Sequence, residues 1–158
     1  MEPTYRDWYK KKMYASEDLS KETDIALHIL EQTKVIAVVG LSKDRHKDSQ
    51  FVARYLKNAG FKIIPVNPTA EEIMGEKVYK RVQDIPFPVD IIDVFLKPDL
   101  IPAFIDDAIS ANPKAIWLQL GTGLQQEAKI KSEEAGIPLF ENRCIKVDHQ
   151  FLMRPTIK

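Results

Sequence analysis

From Lys34 onward the chain alternates short β-branched runs with longer amphipathic segments. Val35-Ile36-Ala37-Val38-Val39, ended by Gly40, reads as a first strand. Phe51, Val52, Tyr55, Leu56 and Ala59 follow at helical spacing, with Ser49 placed to cap that helix and Gly60 to end it. Phe61-Lys62-Ile63-Ile64-Pro65-Val66 reads as a second strand. Ile91-Ile92-Asp93-Val94-Phe95 reads as a third, preceded by a short segment around residues 81–85. Leu100, Ile101, Phe104, Ile105, Ala108 and Ile109 form a helical stripe. Pro98 and Pro102 fall near its start, where a missing amide donor does little harm. Ala115-Ile116-Trp117-Leu118-Gln119-Leu120 is a fourth strand, residues 125–135 a polar helix ended by Gly136, and Ile137-Pro138-Leu139-Phe140 a fifth strand. Upstream, Thr23-Asp24 reads as a helix start, with Ile25, Leu27, Ile29 and Leu30 as its apolar side.

Strands that alternate with helices require a parallel sheet covered on both faces, because each crossover helix must lie on one face or the other. The predicted fold is α/β: a Rossmann-like, doubly wound parallel sheet of five main strands in the order 3-2-1-4-5. Residues 23–152 read as one domain, with an extension over 1–22 and a tail over 153–158. No internal repeat or low-complexity linker interrupts the domain.

Composition narrows the function classes. The 158 residues hold 23 Lys plus Arg and 23 Asp plus Glu, so the formal net charge is zero. A chain that coats nucleic acid needs a positive excess, so that role is not expected. No apolar run reaches the roughly 18 residues that cross a bilayer, so no membrane span is expected. The single cysteine, Cys144, has no partner for an internal disulfide, which fits a reducing compartment. Met1-Glu2-Pro3-Thr4 lacks the apolar core of a secretory signal, and a cytoplasmic protein is expected. Residues 5–14 mix aromatics with bases and read as a nucleic-acid arm or as an extension packed on the domain or on a second subunit. Asp7, Glu17, Asp18 and Glu22 offset the charge and favour the second reading. A homodimer, or assembly with a partner enzyme, is the corresponding expectation.

In an open parallel sheet, ligands bind outside the carboxyl ends of the strands. The segments that follow the strands are therefore the candidates. Gly40 lets the first loop turn sharply beside a ligand, Ser42 offers a hydroxyl, and the next helix presents free amides near Ser49. Lys43, Arg45 and Lys47 add positive charge, partly offset by Asp44 and Asp48. This points to a phosphate-bearing ligand. The loop has neither Gly-x-Gly-x-x-Gly nor a Walker A pattern. The second strand ends in Val66-Asn67-Pro68, without the carboxylate that a nicotinamide dinucleotide site uses for its ribose. An NAD(P)-dependent oxidoreductase is thereby demoted but stays as the alternative.

Five segments run in one register: Ile36-Ala37-Val38-Val39-Gly40-Leu41-Ser42, Ile64-Pro65-Val66-Asn67-Pro68, Asp93-Val94-Phe95-Leu96-Lys97-Pro98, Ala115-Ile116-Trp117-Leu118-Gln119-Leu120-Gly121, and Asn142-Arg143-Cys144-Ile145-Lys146-Val147-Asp148-His149. Together they resemble the small stand-alone CoA-binding proteins, which are similar to the CoA-binding domain of the succinyl-CoA synthetase alpha subunit. The resemblance implies a cofactor, coenzyme A or an acyl-CoA, bound at the carboxyl edge of the sheet. By the same resemblance, Gly40, Leu41, Ser42 and Lys43 hold phosphate, and Val66, Asn67, Pro68 and Thr69 lie beside adenosine. Phe95, Lys97 and Pro98 line the nucleotide and pantetheine path, and Gln119, Leu120 and Gly121 flank the pantetheine arm. Arg45, Lys47 and Ser49 complete the phosphate surroundings, and Asn142 and Cys144 close the site edge. A CoA-transferring enzyme completed by a partner chain is a further alternative.

Catalytic and metal residues are not expected. His28, His46 and His149 are scattered, with no ligand spacing. Asp148 and His149 are expected to form a polar pair in a C-terminal turn. Cys144 is the one nucleophile near the site and reads first as an inert buried thiol; the alternative is that Arg143 and Lys146 favour its thiolate and that mild oxidation joins it to the CoA thiol as a mixed disulfide. Asp93 is expected either in the ligand crevice or in a salt bridge on the strand face.

Overall fold

The structure is a computed structural model and describes residues 17–153. The aromatic and basic segment at residues 5–14 and the tail beyond Met153 lie outside the described residues. The elements in chain order are α1 (Glu17–Glu31), β1 (Val35–Val39), α2 (Asp48–Asn58), β2 (Lys62–Val66), β3 (Glu72–Ile73), β4 (Glu76–Lys77), β5 (Ile91–Val94), α3 (Ile101–Ser110), β6 (Ala115–Leu118), α4 (Gln126–Glu134), β7 (Leu139–Phe140) and α5 (Ile145–Leu152). Short 3-10 turns cover Val82–Asp84 and Pro98–Leu100.

The main sheet has five strands in the order β2-β1-β5-β6-β7, and every pair in it is parallel. Tyr79 forms one further parallel bridge with Val66 on the outer side of β2. Counted with that bridge as a rudimentary third strand, the sheet reads 3-2-1-4-5 and then β7. Ile91–Val94, third among the full strands, thus lies beside β1 and not outside β2. The third position is reduced because β3 and β4 turn back as a small antiparallel hairpin before Tyr79. Met74 and Gly75, both with positive φ, make that turn.

Alternation along the strands sends side chains to two cores. On one face Ile36, Val38, Ile91 and Trp117 pack with Leu27 and Leu30 of α1, Val52 and Leu56 of α2, and Ile145 of α5. On the other, Ala37, Val39, Ile92 and Ile116 pack with Ile101 and Ile105 of α3 and Ala128 of α4. Each large side chain so buried contributes about 1.5–3 kcal/mol.

Several local expectations change. α1 begins at Glu17 and not at Thr23. The helix therefore runs across the boundary expected at residue 22. Ser49 does not cap α2, whose N-cap is Lys47 with no side-chain bond. Ser49 lies inside the first turn, and its Oγ accepts the Ser42 amide at 3.0 Å. The segment after Cys144 is a helix and not merely a turn.

Candidate functional site

The winding reverses between β1 and β5, and the candidate site lies at this switch point. Gly40 follows β1 with φ +80°. Its amide donates to the Val66 carbonyl at 3.0 Å, while the Phe95 amide donates to the Val39 carbonyl at 2.8 Å. A Cβ on Gly40 would lie 2.1 Å from the Phe95 carbonyl oxygen. Glycine is therefore required twice over, by backbone angle and by space. This close approach keeps the carboxyl edge low at the switch point.

Two clefts open on either side of that low point. The larger, about 420 Å³, lies on the α2 and α5 face. Its walls include Phe51, Val52, Phe95, Leu120 and Val147, and its polar members are Asp48, Gln119, Cys144, Lys146 and Gln150. The smaller, about 190 Å³, lies on the α3 face, between Gly40, Val66, Pro68, Leu96 and Phe104, with Lys80, Arg81, Gln83 and Asp107 around it.

Of the residues expected from sequence, Phe95, Gln119, Leu120 and Cys144 line the larger cleft. Gly40, Val66 and Pro68 line the smaller. Lys43, Arg45, Lys47, Lys97, Pro98, Gly121 and Asn142 are exposed and line neither. Leu41, Ser42, Ser49, Asn67 and Thr69 shape the loops behind. Leu41 is fully buried. Asn67 joins two loops: its Nδ2 donates to the Leu41 carbonyl at 3.1 Å, and its Oδ1 accepts the amides of Thr69 at 2.9 Å and Ala70 at 3.0 Å. In the first loop the Ser42, Asp44 and His46 amides are taken by Ser49 Oγ, Ser42 Oγ and Asp44 Oδ1. The amides of Lys43, Arg45, Asp48 and Ser49 make no bond among the described residues, so the loop still offers donors to an anion.

Beneath the larger cleft lies a buried polar group. Asp93 is fully buried on the same face of β5 as Phe95, two residues lower. Gln119 Nε2 donates to its Oδ1, and its Oδ2 has no partner among the described residues. Burial pushes the Asp93 carboxyl up to about 8, against the Gln119 bond that lowers it. Asp93 is thus a neutral acid near pH 7, and neither expectation for it, crevice contact or salt bridge, is what the structure shows.

Cys144 is the N-cap of α5 and half-buried. Burial raises its thiol above the usual range, the Lys146 and Val147 amides oppose this, and the charges of Asp93 and Asp148 add to the rise. Arg143 does not favour the thiolate. Its Nη2 and Nε grip the Asp148 carboxylate at 2.7 and 3.1 Å, and Trp117 Nε1 donates to the same group at 3.0 Å. Asp148 and His149 therefore do not pair with each other. His149 Nδ1 meets Tyr55 OH at 2.8 Å, and burial lowers the His149 pKa. Successive helical residues point about 100° apart, which sends the two side chains to different neighbours.

Lys80, Arg81 and Lys146 are the cations that line the clefts. None of the three is among the phosphate contacts expected from sequence. The signal for Lys80 and Arg81 was weak, because one bridge residue, Tyr79, precedes them in place of a strand.

The architecture is that of a nucleotide-type binding domain: a doubly wound parallel sheet with clefts on both sides of its switch point. The profile of the family described as "CoA binding domain" matches residues 34–150, and the chain belongs to that family. The YneT protein of Bacillus subtilis (strain 168) is 36% identical over 121 residues, covering 77% of this chain and 89% of the relative. The alpha subunit of an ADP-forming acetate–CoA ligase II of Pyrococcus furiosus is 42% identical over 120 residues, covering 75% of this chain and 25% of the relative. The chain thus corresponds to a minor part of such ligases. A solved protein of Pyrococcus horikoshii OT3 superposes with a TM-score of 0.78 at 38% identity, covering 84% of this chain and 92% of that one. A solved protein of Thermus thermophilus gives 0.78 at 35% identity, covering 83% and 98%. Among the described residues, no helix is long and apolar enough to cross a membrane.

Proposed function

We propose that this chain binds coenzyme A or an acyl-CoA across the carboxyl edge of its sheet and works as a binding, carrier or regulatory module. One observation carries the reading: two clefts flank the Gly40–Phe95 low point in a member of the CoA-binding domain family. A long ligand with a nucleotide end and a pantetheine arm fits such a pair. The smaller cleft, walled by Pro68, Leu96 and Phe104, suits the adenosine. The open amides of Lys43, Arg45, Asp48 and Ser49 suit a phosphate between the clefts. The larger cleft suits the arm, whose reactive end then lies near Gln119 and Cys144. Binding rather than catalysis is assigned because the nucleophile in that cleft, Cys144, has a thiol that burial keeps protonated near neutral pH. A ligand bound by the native state alone raises the melting temperature. At about a hundredfold excess over the dissociation constant, the gain is about 2.7 kcal/mol, or some 5–10 °C for a chain of this size. Thermal shifts with CoA, acetyl-CoA, NAD and NADP test the reading. A shift with the CoA compounds alone supports it, and no shift with either at millimolar concentration refutes it.

A further inference from the structure

The basic residues of the first loop line neither cleft, yet the smaller cleft has cations of its own. Tyr79 is pinned beside the end of β2: its amide donates to the Pro65 carbonyl at 3.0 Å, and its carbonyl accepts the Asn67 amide at 3.0 Å. Lys80 and Arg81 follow at once, so they leave the sheet at the same carboxyl edge as the loops after β1 and β2. They face Gly40 and Pro68 around the cleft. Arg81 Nη2 lies 3.7 Å from Asp107 Oδ1, with both side chains largely open to water at 63% and 41% exposure. So loose a surface pair contributes little and yields readily to a better anion. Lys80 is exposed and makes no ion pair among the described residues. The apolar wall of Leu96 and Phe104 suits a base, and the two cations sit where a phosphate on the attached sugar would emerge.

We infer that Lys80 and Arg81 are specificity-determining residues that read a phosphate on the ribose of the bound nucleotide. The ligand class is then a 3′-phosphorylated adenosine derivative, and the chain discriminates CoA from dephospho-CoA, which lacks only that group. Arg81 supplies the planar fork that suits phosphate oxygens, and Lys80 supplies a point charge. The inference rests on the coenzyme A reading above and adds which end of the ligand this edge recognises.

Calorimetric titration of the full chain with CoA and with dephospho-CoA tests it, alongside Lys80→Gln/Arg81→Gln and a control, Lys34→Gln, at the exposed residue just before β1, on the amino edge of the sheet. The wild-type chain is expected to bind CoA at least about tenfold more tightly than dephospho-CoA. The double variant is expected to lose about tenfold for CoA, keep its affinity for dephospho-CoA, and bring the ratio close to one. The control keeps the wild-type ratio. Unchanged dephospho-CoA binding by the double variant also shows that it is folded. If the wild-type chain binds both compounds equally, or the double variant keeps the discrimination, the inference is overturned while the coenzyme A reading stands. If the double variant loses both compounds equally, the two residues do not read the ribose phosphate. If the wild-type chain binds neither, the coenzyme A reading fails and takes the inference with it.

Discussion

Asp90 and Asp93 stand three residues apart on one stretch of chain and have opposite surroundings. Asp90, at the amino edge of the sheet, has a carboxylate that accepts the Lys34 and Val35 amides at 2.9 Å each, and Lys114 Nζ lies 3.4 Å away. Burial would raise its pKa, but these partners outweigh burial and hold it below the usual carboxylate range. Asp93, near the carboxyl edge, has one oxygen bonded to Gln119 and the other without a partner among the described residues. The amino edge uses its charge to fasten the starts of the strands. The carboxyl edge keeps hydrogen-bonding capacity unspent beneath and beside its clefts. Local stability has been given up where a ligand is expected, as is common at functional sites.

The sharpest way to break this contrast is at the switch point. Gly40→Ala combines a left-handed backbone with a clash against the Phe95 carbonyl. It is expected to cost about 4 kcal/mol or more, enough to leave the chain largely unfolded in a denaturant titration. A cost below about 1 kcal/mol would mean that the edge can rise without penalty.

Next comes the pH response of Asp93. Its folded pKa lies above its unfolded value, so between about pH 4 and about 8 the native state binds more protons. Its contribution is fully present below pH 4 and is lost as pH rises through 8, with a slope of up to about 1.4 kcal/mol per pH unit. Asp93→Asn removes that slope. The variant should exceed the parent by about 2 kcal/mol at pH 9 in urea unfolding, after allowance for its own unpartnered amide. Parallel pH profiles for the two proteins would show that Asp93 is ionised in the native state.

The smallest effect belongs to Asp90, and its sign is reversed. Its folded pKa lies below the unfolded one, so its contribution is present above about pH 4 and lost as pH falls through the folded value. Asp90→Ala should cost about 1–2 kcal/mol at pH 7 and almost nothing near pH 2, read from the same unfolding experiment.

The strands were legible because their β-branched runs are bounded by Gly and Asn. The crossover helices were legible because Val52, Leu56, Ile101 and Ile105 repeat at helical spacing. α5 was missed, although Ile145, His149 and Leu152 recur at the spacing of a helix face, because eight residues give too short a period to stand out. The β3–β4 hairpin has only two residues in each strand, too few for alternation to show. At the site, the glycine and the aromatic that shape the clefts could be read from sequence. Which cations line the clefts could not, because that depends on how residues 67–81 fold back onto β2. Arg143 was misread for a similar reason: nothing in the order of residues shows that Asp148, which also accepts from Trp117, claims it first.

Pro65 carries a last consequence. Along β2 the amides alternate in direction, and Lys62 N bonds inward to the Lys34 carbonyl. By that alternation the Ile63 and Pro65 positions face outward, and proline has no amide to present. Both outward bonds near this end go to Tyr79, whose amide donates to the Pro65 carbonyl and whose carbonyl accepts from the Asn67 amide. An incoming strand would therefore meet a missing donor and an acceptor already taken. This open side of the sheet is protected against edge-to-edge aggregation, and a self-association that extends the sheet through β2 is disfavoured.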